Sequence, residues 1–214
     1  MRNKEKDEFE MYERRNAILK EGFRLFEANG IETTGMQEIA DACNLGIATL
    51  YRYYKNKLDL VLDIGARQWE DYAVYAKRHR EECNADQMTA AQELEFYLDF
   101  YIDLYQNHKD LLRFNSNFNS FIQHEGATKK QLAPYLKAIS SLGSFFHSIY
   151  SKGQKDGTVR TDMPEGKMFA STAHIMLAVA VRYAQGLIYS ADNETDRTEE
   201  FNLLKKMILK EFVI

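Results

Sequence analysis

Two prolines, two cysteines and one tryptophan among 214 residues set the first limits. With 45% hydrophobic residues and so little proline, the chain reads as a well-cored, mostly helical protein rather than a sandwich or a disordered polymer. Cys43 and Cys83 lie far apart and match no metal or redox spacing, so they read as a small buried hydrophobe and a surface thiol. No apolar run reaches the roughly 18 residues that span a bilayer. The first stretch, MRNKEKDEFEMYERR, is charged and has no apolar signal core. The expectation is a soluble, cytoplasmic protein with no membrane partner. G-x-S-x-G, P-loop, H-E-x-x-H and G-x-G-x-x-G patterns are all absent, so no enzyme, catalytic residue, metal site or cofactor is expected.

What is present divides along the chain. The length suits two compact units. Net charge is −4, yet residues 1–57 carry equal numbers of acids and bases, which leaves the negative excess to the remainder. Arg52, Lys55 and Lys57 follow Asp41 with no acid between them, a local basic edge of the kind that phosphate contact needs.

Ile18, Gly22, Leu25 and Phe26 recur at helical spacing, and Asn29-Gly30 ends that first helix through a left-handed cap. Met36, Ile39, Ala40 and Cys43 then form one apolar face over two turns. Asn44-Leu45-Gly46 supplies a break, with Asn tolerating positive φ and Leu45 plugging the corner. A third helix runs from Ile47 to Tyr54. Leu50 and Tyr54 face inward, which leaves Ile47, Ala48, Thr49, Tyr51, Arg52 and Tyr53 largely outside. Two exposed tyrosines and an arginine on one short helix call for a partner.

ILKEGFRLFEANG followed by MQEIADACNLGIATLYRYYKNKLDL resembles the DNA-binding unit of TetR-type transcriptional regulators, with their pattern I-A-x-x-A-G-V-S-x-x-T-L-Y-x-Y-F-x-x-K. The resemblance covers roughly residues 12–62. Three departures stand out: Cys43-Asn44-Leu45-Gly46 replaces A-G-V-S and removes a capping hydroxyl, Gly35 stands where threonine often caps, and Tyr54 replaces phenylalanine. The resemblance implies that Thr49, Tyr51, Tyr53 and Lys57 lie on phosphates. It places Gln37, Ile47, Ala48 and Arg52 near base edges in the major groove. Their chemistry agrees, since Arg and Gln make bidentate contacts to guanine and adenine, while hydroxyls and an ammonium suit phosphate. It also implies a homodimer on a palindromic double-stranded operator.

Beyond residue 57 the pattern stays helical. Lys57 to about Glu82 reads as one helix of about 40 Å, entering both units and so able to move the recognition helix. Thr89 caps a helix to about Asn107, a further helix starts at Lys109 and ends before Glu125-Gly126, another covers about Lys129–Lys152, and the most apolar runs from Glu165 to Tyr189. An amphipathic one spans about Arg197–Phe212. The fold class is therefore all-α: an N-terminal three-helix helix-turn-helix domain (1–56) and a larger helical regulatory and dimerisation domain (57–214), about nine helices in all. Rings crowd the middle of the second domain. Tyr97, Phe100, Tyr101, Phe114, Phe118, Phe121, Phe146, His147 and Tyr150, with Arg182, are candidates to line a mainly apolar cavity for a small, largely apolar or aromatic effector. The last two helices are expected, from the resemblance, to pair with a second copy. The leading expectation is a repressor released from its operator by that effector. The alternative is a DNA-bound structural or protein-partnered factor of the same fold with no small effector.

Overall fold

A computed structural model describes residues 4–186 and 196–214. Among them are nine α-helices: α1 Lys4–Asn29, α2 Met36–Ala42, α3 Ile47–Tyr53, α4 Lys57–Glu82, α5 Ala90–Asn107, α6 Lys109–Glu125, α7 Lys129–Asp156, α8 Glu165–Ala184 and α9 Thr198–Phe212. Residues 187–189, expected to continue α8, lie outside the described set. The chain forms two compact units, Met1–Gln68 with Phe114–Lys137, and Trp69–Arg113 with Ala138–Ile214. No helix among the described residues is long and apolar enough to cross a membrane.

In the first unit each break has a local cause. Gly30 takes φ +88° and its N–H donates to the Phe26 carbonyl at 3.0 Å, closing α1. Glu38 reaches back to accept the Gly35 N–H at 2.6 Å, so α2 starts without a capping hydroxyl. Asn44 adopts φ 53°, and the Leu45 N–H returns to the Ala40 carbonyl at 2.8 Å. α3 begins at Gly46, whose carbonyl accepts from Thr49 and Leu50 at 2.8 and 3.2 Å.

The second half of α6 and the start of α7 complete this unit. Phe114 packs on Phe23 of α1, and Phe118 stacks on Tyr135 of α7 with ring centres 4.3 Å apart. Phe118 fits because Gly65 of α4 leaves a notch: a β-carbon there would lie 2.7 Å from the ring. At Gly22 of α1 the nearest atom would be the flexible Ile64 Cδ1 tip at 2.8 Å. Alanine favours a helix interior by up to about 1 kcal/mol over glycine, but a stacked ring cannot yield as a methyl tip can. Gly65→Ala is expected to lose about 1–3 kcal/mol through overpacking, and Gly22→Ala to stay near wild type. Urea unfolding compares the two, and equal midpoints would remove the ring-packing argument.

The second unit is joined by polar contacts between distant segments. The Ala90 and Ala91 N–H groups at the start of α5 donate to the Asp156 carboxylate at 2.8 Å and the Thr158 hydroxyl at 3.0 Å. Thr89 and Gln92 add a capping box. α5, α8 and α9 meet at Tyr105, Tyr183 and Phe201, rings packed edge to face about each other. Lys205 of α9 pairs with Glu95 and Asp99 of α5 at 3.0 and 2.8 Å.

Candidate nucleic-acid interface

α3 has only seven residues, fewer than a free helix needs to be stable in water. Its conformation therefore depends on its anchors, Leu50 and the C-cap residue Tyr54, both buried. With those two turned in, Ala48, Tyr51 and Arg52 are exposed, while Ile47, Thr49 and Tyr53 are half-buried. Gln37 is exposed on α2, its amide donating to Asp41 at 2.7 Å. A base contact by Gln37 competes with that bond.

Lys57 differs from the other candidates. Its ammonium is half-buried, donates to the Glu32 carbonyl at 2.9 Å and lies 5.6 Å over the Phe121 ring. Burial lowers its pKa, against the opposing pull of Glu125, Glu32 and Glu38. The same residue borders an open cleft of about 520 Å³ with Glu32, Asn56, Phe121, His124 and Glu125.

Arg52 and Tyr53 also border a cleft, of about 200 Å³, shared with Asp7, Glu10, Met11 and Arg14 of α1. Nothing in the sequence pattern places the first turns of α1 at this surface. The run of charges at residues 4–15 was a signal only that the segment is solvated, not where it packs. Arg14 pairs with Glu10 at 3.4 Å, so a cation stands beside Arg52 with a carboxylate partner of its own.

The effector candidates fall into both units. Phe114, Phe118 and Phe121 belong to the first, packed among α1, α4 and α7 residues or beneath Lys57. In the second, Tyr97, Tyr101 and Phe146 come together: the Tyr97 and Tyr101 hydroxyls are 2.7 Å apart, and the Tyr97 and Phe146 ring centres 5.6 Å. Burial pushes the Tyr101 hydroxyl up to about 12 and that of Tyr97 well above its ordinary value, so both remain neutral, one donating to the other. Phe100 packs instead with Phe96 and His79. His147 pairs with Glu165 at 3.0 Å, and Tyr150 donates to the Met163 carbonyl at 2.8 Å. Arg182 lies on the exposed side of α8, so its charge is not desolvated there.

Residues 18–64, which contain the C-terminal part of α1, all of α2 and α3 and the first turns of α4, match the family of bacterial regulatory proteins, tetR family. An HTH-type transcriptional regulator of Staphylococcus aureus is 30% identical over 101 residues, 47% of this chain and 52% of that protein. The chain spans about half the length of the curated relatives it matches. Among solved structures, the ketosteroid transcriptional regulator KstR2 of Mycobacterium tuberculosis aligns with a TM-score of 0.65 over 94% of this chain and 95% of its own, at 13% identity. The transcriptional regulator FadR from Bacillus subtilis, in complex with stearoyl-CoA, gives 0.68 over 90% and 96%, also at 13% identity. At such identities the likeness is one of fold.

Proposed function

We propose that this chain, a TetR-type regulator by its residues 18–64, binds a palindromic operator as a homodimer and represses transcription until a small molecule in its second unit releases it. One observation carries the DNA-binding part: Ala48, Tyr51 and Arg52 stand exposed on a helix too short to hold its own shape and fixed from beneath by Leu50 and Tyr54. Gln37, Ile47, Ala48 and Arg52 are the base-edge group, and Thr49, Tyr51, Tyr53 and Lys57 the phosphate group. A second copy supplies the other half-site. α8 exposes Ile175, and α9 exposes Leu203 and Met207 at 60% and 63%, an apolar surface that pairing of these helices covers. A titration of DNA binding against salt tests the reading. Two protomers contacting roughly eight phosphates give a log–log slope near −7, and a flat response sinks it.

The effector reading rests on the Tyr97–Tyr101–Phe146 cluster, in which Tyr97 and Phe146 are buried and Tyr101 half-buried, apolar walls with a hydroxyl pair for orientation. A ligand that prefers the protomer spacing unsuited to successive major grooves weakens operator binding by shifting populations. The second reading, DNA binding with no small effector, is favoured by how closely these rings fill their own space, Phe146 also meeting Phe169 at 5.4 Å. Stearoyl-CoA, free fatty acids and aromatic acids, each tested for raising the melting temperature while releasing DNA, separate the two.

A further inference from the structure

The geometry points to Tyr54, Asp63 and Arg15 as a positioning clamp that sets the angle of α3 and thereby the discrimination between operator and other DNA. The inference rests on the DNA-binding reading above. Three elements of the first unit converge on one carboxylate oxygen. Asp63 Oδ2 of α4 accepts from the Tyr54 hydroxyl, from Arg15 Nη2 at 2.8 Å and from Arg15 Nε at 3.2 Å. Arg15 Nε also reaches the Tyr54 oxygen at 3.3 Å. The Arg15–Asp63 pair is partly exposed, with side chains 55% and 27% accessible, so by itself it is screened and weak. The Tyr54 end is different: the residue is 5% exposed, so the donor of this charge-assisted hydrogen bond is buried although its acceptor is partly accessible. Burial raises the hydroxyl pKa, so it stays protonated and donating.

The lever is the position of Tyr54 in the chain. Its backbone is extended, with φ −133° and ψ 115°, and its N–H closes α3 on the Leu50 carbonyl at 3.0 Å. Leu50 alone is a pivot about which a seven-residue helix can roll; Tyr54 bonded to α4 is the second point that stops the roll. Phosphate contacts from long side chains tolerate a small roll, whereas a bidentate base contact from Arg52 does not. Loosening the clamp therefore costs specificity before it costs general affinity.

The test uses the full chain. A duplex is selected by the wild type from a random library, and affinities for it and for a scrambled duplex are measured at one salt concentration, well below each variant's melting transition. Tyr54→Phe keeps the ring and removes the bond. It is expected to lower the selected-to-scrambled affinity ratio about tenfold, with scrambled binding changed less than about threefold. Asp63→Asn lowers the ratio at least as far, and adding Tyr54→Phe to it changes little more, since both remove one contact. A purely structural role lowers the DNA-competent fraction for both duplexes alike and leaves the ratio intact. A wild type that enriches no duplex overturns the DNA-binding reading and the clamp with it. One that enriches a duplex while Tyr54→Phe and Asp63→Asn keep the ratio within about twofold overturns the clamp alone.

Discussion

Replacing Glu93 with alanine is expected to cost about 3–5 kcal/mol, the range for breaking a buried ion pair from one side. Glu93 on α5 has 0% exposure, and its two oxygens lie 2.5 Å from Arg80 of α4 and 2.5 Å from Lys152 of α7. Ser148 adds a hydroxyl at 3.4 Å. The two cations fare differently without it. Lys152 is 23% accessible, retains the Ala85 carbonyl at 2.9 Å and can turn toward water. Arg80 is only 10% accessible, lies 4.9 Å over the Phe145 ring, and would keep Asp86 at 3.5 Å, a carboxylate 92% exposed and so a screened partner. Most of the loss is therefore a stranded guanidinium. At about 2–4 °C per kcal/mol for a chain of this size, the melting temperature should fall by roughly 10 °C. Removing the stranded charge as well, in Glu93→Leu with Arg80→Met, should recover most of that fall. If calorimetry finds the single variant within about 2 °C of wild type, water reaches the cluster and the buried-pair account is wrong.

Nothing in the residue pattern announces that cluster, and the reason is physical. Helical periodicity reports which face of an element is apolar; it carries no information on which distant charge will meet a carboxylate placed inside that face. Glu93 stands between Leu94 and Gln92 like any surface acid, and its partners are 13 and 59 positions away. The same limit hides the link of Arg15 to Asp63, 48 positions apart. Local chemistry was legible where it decides structure alone: the Asn29-Gly30 stop, the left-handed Asn44, the Thr89 cap and the inward Leu50. Aromatic crowding was legible as burial but not as location. Phe118 and Tyr97 look alike in sequence, yet one stacks on Tyr135 beside the Gly65 notch in the first unit and the other meets Phe146 in the second. A glycine within a helix was the available clue to that notch, because only a close neighbour compensates for its conformational cost.

Arg52→Ala should separate base reading from backbone contact more sharply than any other single change on α3. A bidentate arginine–guanine contact contributes about 1–3 kcal/mol of discrimination, and a two-fold symmetric dimer makes it twice, so affinity for the selected duplex should fall roughly 30-fold to 20,000-fold. Scrambled DNA, held by phosphate contacts alone, should lose far less. Lys57→Ala is the matched control. Its ammonium already donates to the Glu32 carbonyl and faces the Phe121 ring, so contact with phosphate trades one set of partners for another and contributes little net energy. The expected result for Lys57→Ala is a modest loss shared by both duplexes, with the magnitude of the salt slope reduced by about two, one for each protomer. Fluorescence anisotropy of both variants on both duplexes, across a salt series, gives all the numbers needed. Should Arg52→Ala weaken the two duplexes equally, Arg52 belongs to the phosphates. The reading of sequence would then pass to Gln37, whose amide must first leave Asp41, and to the small apolar faces of Ile47 and Ala48.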